Sequence, residues 1–327
     1  MVNSIETVLI TGSAGQDARL LVEFLGSKKV NIVCTSSDVE STTNFYKNCD
    51  TNITFEKLDI TNTDQYAFLV KKYKPTRIFN LAAKSLVVAS YSNSNQFMEV
   101  NGYAVEKILK RLHSENLLGA TRFYQASSSE IFDPFEKTPR NESSIKNPAS
   151  PYGKSKLYSL EVCKDFRDKH GYFISSGIMF GHESEHRSEK FLFGKVTKTL
   201  ARIKRGLEFN LEIGNLDAKR DWGYARDFII AIDKITTCSI PEDYVVATGQ
   251  LHSVREVIEV AYNTCEISTP LTEIILESEE LIRKNDYKNL YGSSRKIEQD
   301  LEWTVTHNFE SMVKKIQESA LTAIGSE

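Results

Sequence analysis

The chain has 327 residues, 40% hydrophobic and 26% charged, enough to bury a sizeable core in one large or two ordinary domains. Its 41 basic against 44 acidic side chains leave a formal charge of -3 with no long run of either sign, which argues against a nucleic-acid or anionic-membrane binder and favours a small-molecule partner. Five cysteines (Cys34, Cys49, Cys163, Cys238, Cys265) are odd in number, far apart and never in a Cys-x-x-Cys pair, so neither a disulfide framework nor a zinc ribbon is expected, and a reducing cytoplasm suits them. MVNSIETVLITG lacks the basic start and apolar stretch of a signal peptide, and no run of about 18 apolar residues occurs, so no membrane span is expected.

In chain order, TVLITG (7–12) reads as a strand ending in glycine, and Leu20, Leu21, Phe24 and Leu25 mark a helix that ends near Lys28. Further strands are expected at 30–35, 53–59, 77–83, 121–127 and 173–180, with helical patterns around 62–73, 95–116 and 152–169. Strands alternating with helices predict an α/β fold with a doubly wound parallel sheet. Beyond residue 180 the pattern loosens into GHESEHRSEK, a helix through VTKTLARIKRG, a loop at GNLDAKRDWG, and helix and strand signals in ARDFIIAIDKI and DYVVATG. The expected division is a dinucleotide-binding domain over 1–180, to which 221–249 returns. A smaller, interleaved C-terminal domain takes 181–220 and 250–327 and binds the substrate.

TGSAGQDA (11–18) lies between the first strand and first helix, where glycines let the backbone approach a pyrophosphate and a helix N-terminus supplies free N–H groups. Its spacing is Gly12-x-x-Gly15-x-x-Ala18. The end of the second strand, where an acid binds a ribose or an arginine a 2'-phosphate, offers Cys34, Thr35, Ser36, Ser37 and Asp38. Asp38 reads either as a ribose acceptor or as a solvated loop residue, and Asp59 at the end of the third strand is a candidate for an adenine contact.

QASSSEIFD (125–133) places three hydroxyls and a carboxylate where a strand ends. Downstream, Tyr152 opens a helix after Ser150-Pro151 and stands four residues before Lys156, on one face, where an ammonium can lower a phenol's pKa for base catalysis. The same spacing occurs at Tyr103/Lys107 within an earlier helix, a structural site by default. Ligands in doubly wound sheets sit outside the strands' carboxyl ends, so Ser128, Glu130, Tyr152 and the glycine turn are expected to share one crevice.

TGSAGQD, NLAAKS, QASSSE, SPYGKSKLY, GHES, GNLDAKRDWG and YVVATGQLHSVREV resemble, in this order and over nearly the whole chain, extended short-chain dehydrogenase/reductases, and specifically the GDP-mannose 4,6-dehydratase family. That resemblance implies a catalytic set of Ser128, Glu130, Tyr152 and Lys156. It implies NADP or NAD, tightly bound and regenerated each turnover, held by Gly12, Gly15, Gln16, Asp17, Ser36, Asp59, Ile60, Leu81, Ala82, Ala83, Tyr152 and Lys156. Ser85, Ser90, His182, Glu183, Lys195, Arg220 and Arg283 would bind a nucleotide-sugar, with GDP-mannose leading. For Lys195, Arg220 and Arg283 the alternative is a surface cation. The implied reaction is internal redox: Tyr152 takes the C4 hydroxyl proton as the C4 hydride leaves, Glu130 removes the C5 proton, water leaves from C6, and the hydride returns there. A homodimer or homotetramer is implied too.

Several positions depart from the family's pattern. Ser128 replaces threonine, Ser36 and Ser37 replace paired arginines tied to NADP and tetramer contacts, and Gly181, Gly194, Lys84 and Asp133 replace asparagine, arginine, glutamine and glycine. A C4 dehydrogenase, reductase or epimerase is the nearest rival, and a non-catalytic cofactor-binding subunit a further one. His182-Glu183-Ser184-Glu185-His186 also spells His-Glu-x-x-His, a zinc-hydrolase pattern. Its polar flanks and its position after a strand argue for a loop, and no metal is expected.

Overall fold

The structure, a computed structural model, describes residues 5–47, 49, 51–281 and 289–325. Arg283 lies outside the described residues. Strands β1 (Thr7–Thr11), β2 (Asn31–Ser36), β3 (Ile53–Lys57), β4 (Arg77–Asn80), β5 (Arg122–Ala126) and β6 (Ile174–Met179) come first. They alternate with helices α1 (Gln16–Gly26), α2 (Val39–Asn44), α3 (Thr63–Tyr73), α4 (Val87–Ser92), α5 (Ser94–Phe97), α6 (Ala104–Ser114) and α7 (Pro151–His170). The chain leaves this lobe through β7 (Gly181–Glu183), α8 (Leu192–Lys204), β8 (Leu211–Ile213), β9 (Lys219–Arg220) and β10 (Trp222–Tyr224), then returns with α9 (Ala225–Thr237) and β11 (Asp243–Val246). It closes with β12 (His252–Ser253), α10 (Val254–Cys265), α11 (Leu271–Ile274), β13 (Ile275–Glu277), β14 (Asn289–Leu290), α12 (Arg295–Leu301) and α13 (Phe309–Ile324).

The large sheet runs β3-β2-β1-β4-β5-β6-β11 with every pairing parallel, the doubly wound fold expected from the sequence. Strand order reverses between β1 and β4, which opens a crevice at their carboxyl ends. Each face needs its own cover, because the strands are apolar on both sides. Leu21 and Leu25 of α1 pack with Phe228, Ile232 and Ile235 of α9 on one face; Leu69 of α3, Ile108 and Leu112 of α6 and Cys163 of α7 cover the other. Ile297 and the fully buried Trp303 join the first face, the indole N–H donating to the Asp227 carbonyl at 2.8 Å. A separate core joins α8, α10 and α13 through Phe193, Leu200, Val257, Ile258, Met312 and Ile316, and a Ser253/Glu256 capping box starts α10.

Two local departures from the expected elements shape the crevice. The apolar run 77–83 stops pairing at Asn80, because the Thr11 hydroxyl takes the N–H groups of Leu81 and Ala82 (both 3.1 Å) and turns the chain away from the sheet. The expected helix 95–116 widens into a π-helical segment at Met98–Tyr103, which carries Asn101 into the interior. Among the described residues no helix is long and apolar enough to cross a membrane.

Candidate active site

The crevice floor is a hydrogen-bonded row of polar side chains at three neighbouring strand ends. Thr11 of β1 donates to Asn80 of β4 (3.1 Å), and Asn80 donates to Gln125 of β5 (2.8 Å). All three are buried, and pairing them removes the cost of burying amides and a hydroxyl there. Above the floor, Gly12 adopts φ +72, and a Cβ on it would lie 2.7 Å from Ala82 Cα, so only glycine brings this turn against the 81–83 loop. Gly15 caps α1 with no side chain bonded across the helix N-terminus. The Ser127 hydroxyl, just beyond β5, is buried without a hydrogen-bond partner. A close-approach glycine turn, an open helix N-terminus and an orphaned hydroxyl in one crevice fit a dinucleotide.

Ser128 follows, and its hydroxyl accepts the Glu130 N–H (3.3 Å) to start one 3-10 turn over Ser129–Ile131. α7 is built to reach this turn: Ser150 caps it through the Gly153 N–H (3.0 Å), Pro151 occupies its first turn, and Gly171 (φ +68) ends it. A Cβ on Gly153 would sit 2.2 Å from the Glu130 carbonyl oxygen and 2.8 Å from Pro148. That contact fixes Tyr152 beside Glu130. Burial pushes the Tyr152 phenol up to about 12; the neighbouring Ser128 hydroxyl works downward and the charge of Glu130 upward. Lys156 Nζ lies 5.9 Å from the centre of the Tyr152 ring and donates to the Ala126 carbonyl at 2.8 Å. Burial brings Lys156 down to about 8, against the opposing pull of Asp17. The sequence reading expected an ammonium lowering the phenol; in the structure burial dominates both groups.

Asn101 clamps the loop after β4, accepting from Lys84 N and donating to Lys84 O (both 2.9 Å) while also donating to Ser155 Oγ (3.2 Å), itself bonded to the Tyr152 carbonyl. Sequence reasoning missed Thr11, Asn80, Gln125 and Asn101, and noted Ser127 only among the three hydroxyls after β5 without a role. A polar residue at or next to the end of each of three buried strands marks the first three singly but not their pairing, and nothing local marks Asn101.

Leu81, Ala82 and Ala83 line the crevice half-buried, next to the exposed Ser85. Ser90 is fully buried in α4 and donates to the Val87 carbonyl at 2.6 Å. Asp59 accepts from Thr61 N (2.9 Å) and Thr61 Oγ1 (2.8 Å) on the surface beside the buried Ile60.

Residues 181–187 form a clasp with the glycine turn. His182 directs Nδ1 at the Phe180 carbonyl (2.7 Å) and Nε2 at both Asp17 oxygens (3.0 Å each). Both ring nitrogens face acceptors, which only the imidazolium satisfies; burial opposes that charge, and Asp17 raises the pKa past it. Burial likewise works against the Asp17 carboxylate, but His182 holds it well below the usual range. Gln16 donates to the His182 carbonyl (3.1 Å) and accepts from Ser184 (2.8 Å). Glu183 is buried, raised by that burial and bonded to Arg187 Nε at 2.6 Å. Thus Gln16, Asp17, His182 and Glu183 are brought together, engaged with one another and Arg187. The His-Glu-x-x-His stretch is a strand and turn, with His186 Nε2 turned to Glu23 at 3.0 Å. Among the described residues no cluster of three His, Cys, Asp or Glu side chains could hold a metal.

Two glycine departures are steric. A Cβ at Gly194 would fall 2.3 Å from the Ser188 carbonyl, and one at Gly181 2.5 Å from the Trp222 ring, so close backbone packing stands where longer side chains were expected. Half-buried Lys195, one residue on in α8, has no ion pair among the described residues, while Arg220 lies on β9 and donates to the Lys219 carbonyl.

The model of the family described as GDP-mannose 4,6 dehydratase matches residues 9–316. The chain belongs to this family. The human GDP-mannose 4,6 dehydratase is 36% identical over 263 residues, 78% of this chain and 71% of that protein. Among solved structures, the UDP-glucose 4-epimerase of Thermotoga maritima with UDP-glucose superposes with a TM-score of 0.85 at 18% identity, covering 98% of this chain and all of that one. A dTDP-glucose 4,6-dehydratase from Bacillus anthracis in complex with NAD gives 0.80 at 16% identity, with 96% of each chain covered. These two share the fold.

Proposed function

We propose that the protein is a nucleotide-sugar 4,6-dehydratase that converts a GDP-hexose, with GDP-mannose the leading substrate, to its 4-keto-6-deoxy form. One observation carries the reading: the Gly153 contact holds a carboxylate (Glu130) and a phenol (Tyr152) at the same strand end, where their charges interact. A C4 oxidoreductase needs the phenol alone. Elimination of water needs the carboxylate as well.

When bound, an oxidised nicotinamide dinucleotide would supply a hydride acceptor for C4, the same hydride for C6, and a positive charge that offsets the cost of burying a phenolate. Tyr152 Oη takes the proton of the C4 hydroxyl, assisted by the neighbouring Ser128 hydroxyl, which works to lower the phenol's pKa. The resulting ketone acidifies C5–H, and the Glu130 carboxylate takes that proton and gives it to the departing C6 hydroxyl as water leaves; once C6 is reduced, C5 takes back the proton that Tyr152 removed from the C4 hydroxyl, so both side chains are restored and the net change is loss of one water. Lys156 holds the Ala126 carbonyl and so the strand end that carries Ser128. Lys195 and Arg220 are the cations we assign to the substrate's diphosphate side. In this reading residues 1–180 with 221–249 hold a tightly bound cofactor, 181–220 with 250–327 hold the sugar nucleotide, and the enzyme works in the cytoplasm as a homodimer or homotetramer.

The test is mass spectrometry of the purified protein with GDP-, UDP-, CDP- and dTDP-hexoses, with and without added NAD or NADP. Loss of one water from GDP-mannose without net cofactor reduction is the expected result; isomerisation or net reduction without water loss overturns it. Glu130→Gln should cut dehydration by about 10²–10³-fold while C4 hydride transfer to the cofactor persists. A Glu130→Gln enzyme that dehydrates normally removes the carboxylate's assigned role.

A further inference from the structure

The carboxyl end of β2 adjoins that of β1, and in doubly wound sheets this is where the ribose remote from the nicotinamide is read. Here β2 ends at Ser36 and α2 begins at Val39, so Ser36, Ser37 and Asp38 make the whole connection. It is a tight turn: Ser36 Oγ accepts the Asp38 N–H (3.2 Å), donates to the Asp38 carbonyl (3.0 Å), and is met by the buried Thr42 hydroxyl at 2.8 Å. Asp38 then caps α2, its Oδ1 accepting the Ser41 N–H at 3.1 Å. The seat that an added phosphate would use at this turn therefore already holds a carboxylate.

The charged side chains of the turn and of α2 are both acidic, and the nearby cations come from outside them. Residues 36–46 include Asp38 and Glu40 and no lysine or arginine. Arg19 of α1 lies over the Phe45 ring, 4.6 Å from its centre. Lys57, opposite Ser36 in the β2–β3 register, is the cation whose charge reaches Asp38, and Asp38 offsets it. A 2'-phosphate carries close to two negative charges and would meet Asp38 and Glu40. A 2'-hydroxyl would instead donate to the second carboxylate oxygen, since a carboxylate offers acceptor sites on both oxygens.

Given the dinucleotide reading above, on which this rests, we propose that Asp38 is a specificity-determining residue that selects NAD over NADP. The selection is attractive toward the hydroxyl and repulsive toward the phosphate, the pairing of effects from which sharp discrimination is built.

The test is calorimetric titration of the full-length protein, freed of any nucleotide that purifies with it, with NAD and with NADP at low and moderate salt. The expected result is NAD at least about tenfold tighter, with the gap narrowing as salt screens the exposed Asp38. Asp38→Asn keeps the helix cap, because asparagine caps as well as aspartate, and should shrink the ratio several-fold; Ser37→Arg with Asp38→Asn should reverse it. Equal or tighter NADP binding by the unmodified protein, or an unchanged ratio in folded Asp38→Asn, overturns the proposal. If neither nucleotide binds, the dinucleotide reading itself fails with it.

Discussion

Tyr103 and Tyr152 each precede a lysine by four residues and each adjoin a glycine. Tyr103 is 40% exposed at the end of the π-helical segment, its ring edge-on to Tyr158 at 5.3 Å, and Lys107 pairs with Glu99 at 2.5 Å on the surface. Tyr152 is buried at the start of α7 beside Ser128, with Lys156 also buried and its Nζ 5.9 Å from the ring centre. Helical spacing puts both pairs on one face. What separates them is the element before the helix: β5 runs into Ser128 and Glu130, and α7 starts against that turn, whereas Tyr103 continues a helix already under way. The sharpest way to break this distinction is to remove each hydroxyl. Tyr152→Phe should lower steady-state dehydration about 10³–10⁴-fold, and Tyr103→Phe should leave it within about twofold; similar losses in the two would mean that spacing, not position, had been read.

The lysines differ in a way that pH exposes. Lys156 has a folded pKa of about 8 against an ordinary 10.5. Below pH 8 both folded and unfolded chains carry the charge, and folding bears its full burial penalty. Between pH 8 and 10.5 the folded chain loses the proton first, the unfolded chain binds more protons, and stability rises. Lys156→Met removes that titration, so its unfolding free energy relative to the parent protein should fall by roughly 3 kcal/mol from pH 7.5 to pH 10.5 in urea melts. Lys107→Met, on an exposed ion pair, should change stability by less than about 1 kcal/mol. A Lys156 difference that is flat with pH would show the ammonium to be solvated.

The same contrast explains how much was legible in the sequence. β1, β2, β5, β6 and α7 announce themselves through β-branched runs and through Ser150, Pro151 and Gly171, because these signals are local. Gly12, Gly15, Ser128 and Glu130 stand out because each follows the end of a strand, and Tyr152 and Lys156 because they stand four apart in the first turns of a helix. The Thr11–Asn80–Gln125 row does not, since it exists only once β1, β4 and β5 are neighbours in the order 1-4-5. The partner of His182 was hidden likewise: Asp17 lies 165 residues away. Single substitution of either member leaves a part-buried charge without its main partner, and His182→Asn, which leaves Asp17 its hydrogen bond from Gln16, should cost about 3 kcal/mol in a denaturant melt. The pair's pH dependence follows its two shifts: the Asp17 contribution is lost as pH falls below the ordinary carboxylate range, and that of His182 as pH rises through its elevated pKa.

The glycines beside the two tyrosines give the finest comparison. An alanine at 102 would bring its Cβ within 2.8 Å of Met98 Sδ and 3.3 Å of the Tyr158 ring. The first is the end of a flexible thioether that can rotate away, so Gly102→Ala should leave activity within about twofold, offsetting the contact with the usual helix gain of alanine over glycine. An alanine at 153 would meet the Glu130 carbonyl at 2.2 Å and Pro148 at 2.8 Å, neither of which can move without carrying the 3-10 turn or the α7 entry with it. To regain an ordinary contact the two must part by about 1 Å, and displacement of that size between reacting groups costs about 10²-fold. Gly153→Ala should thus lose about 10²-fold in kcat, with dehydration falling further than C4 hydride transfer because Glu130 is the group displaced. If both steps fell together, the shift would belong to Tyr152 alone, and the carboxylate and phenol would have to be positioned separately rather than through one backbone contact.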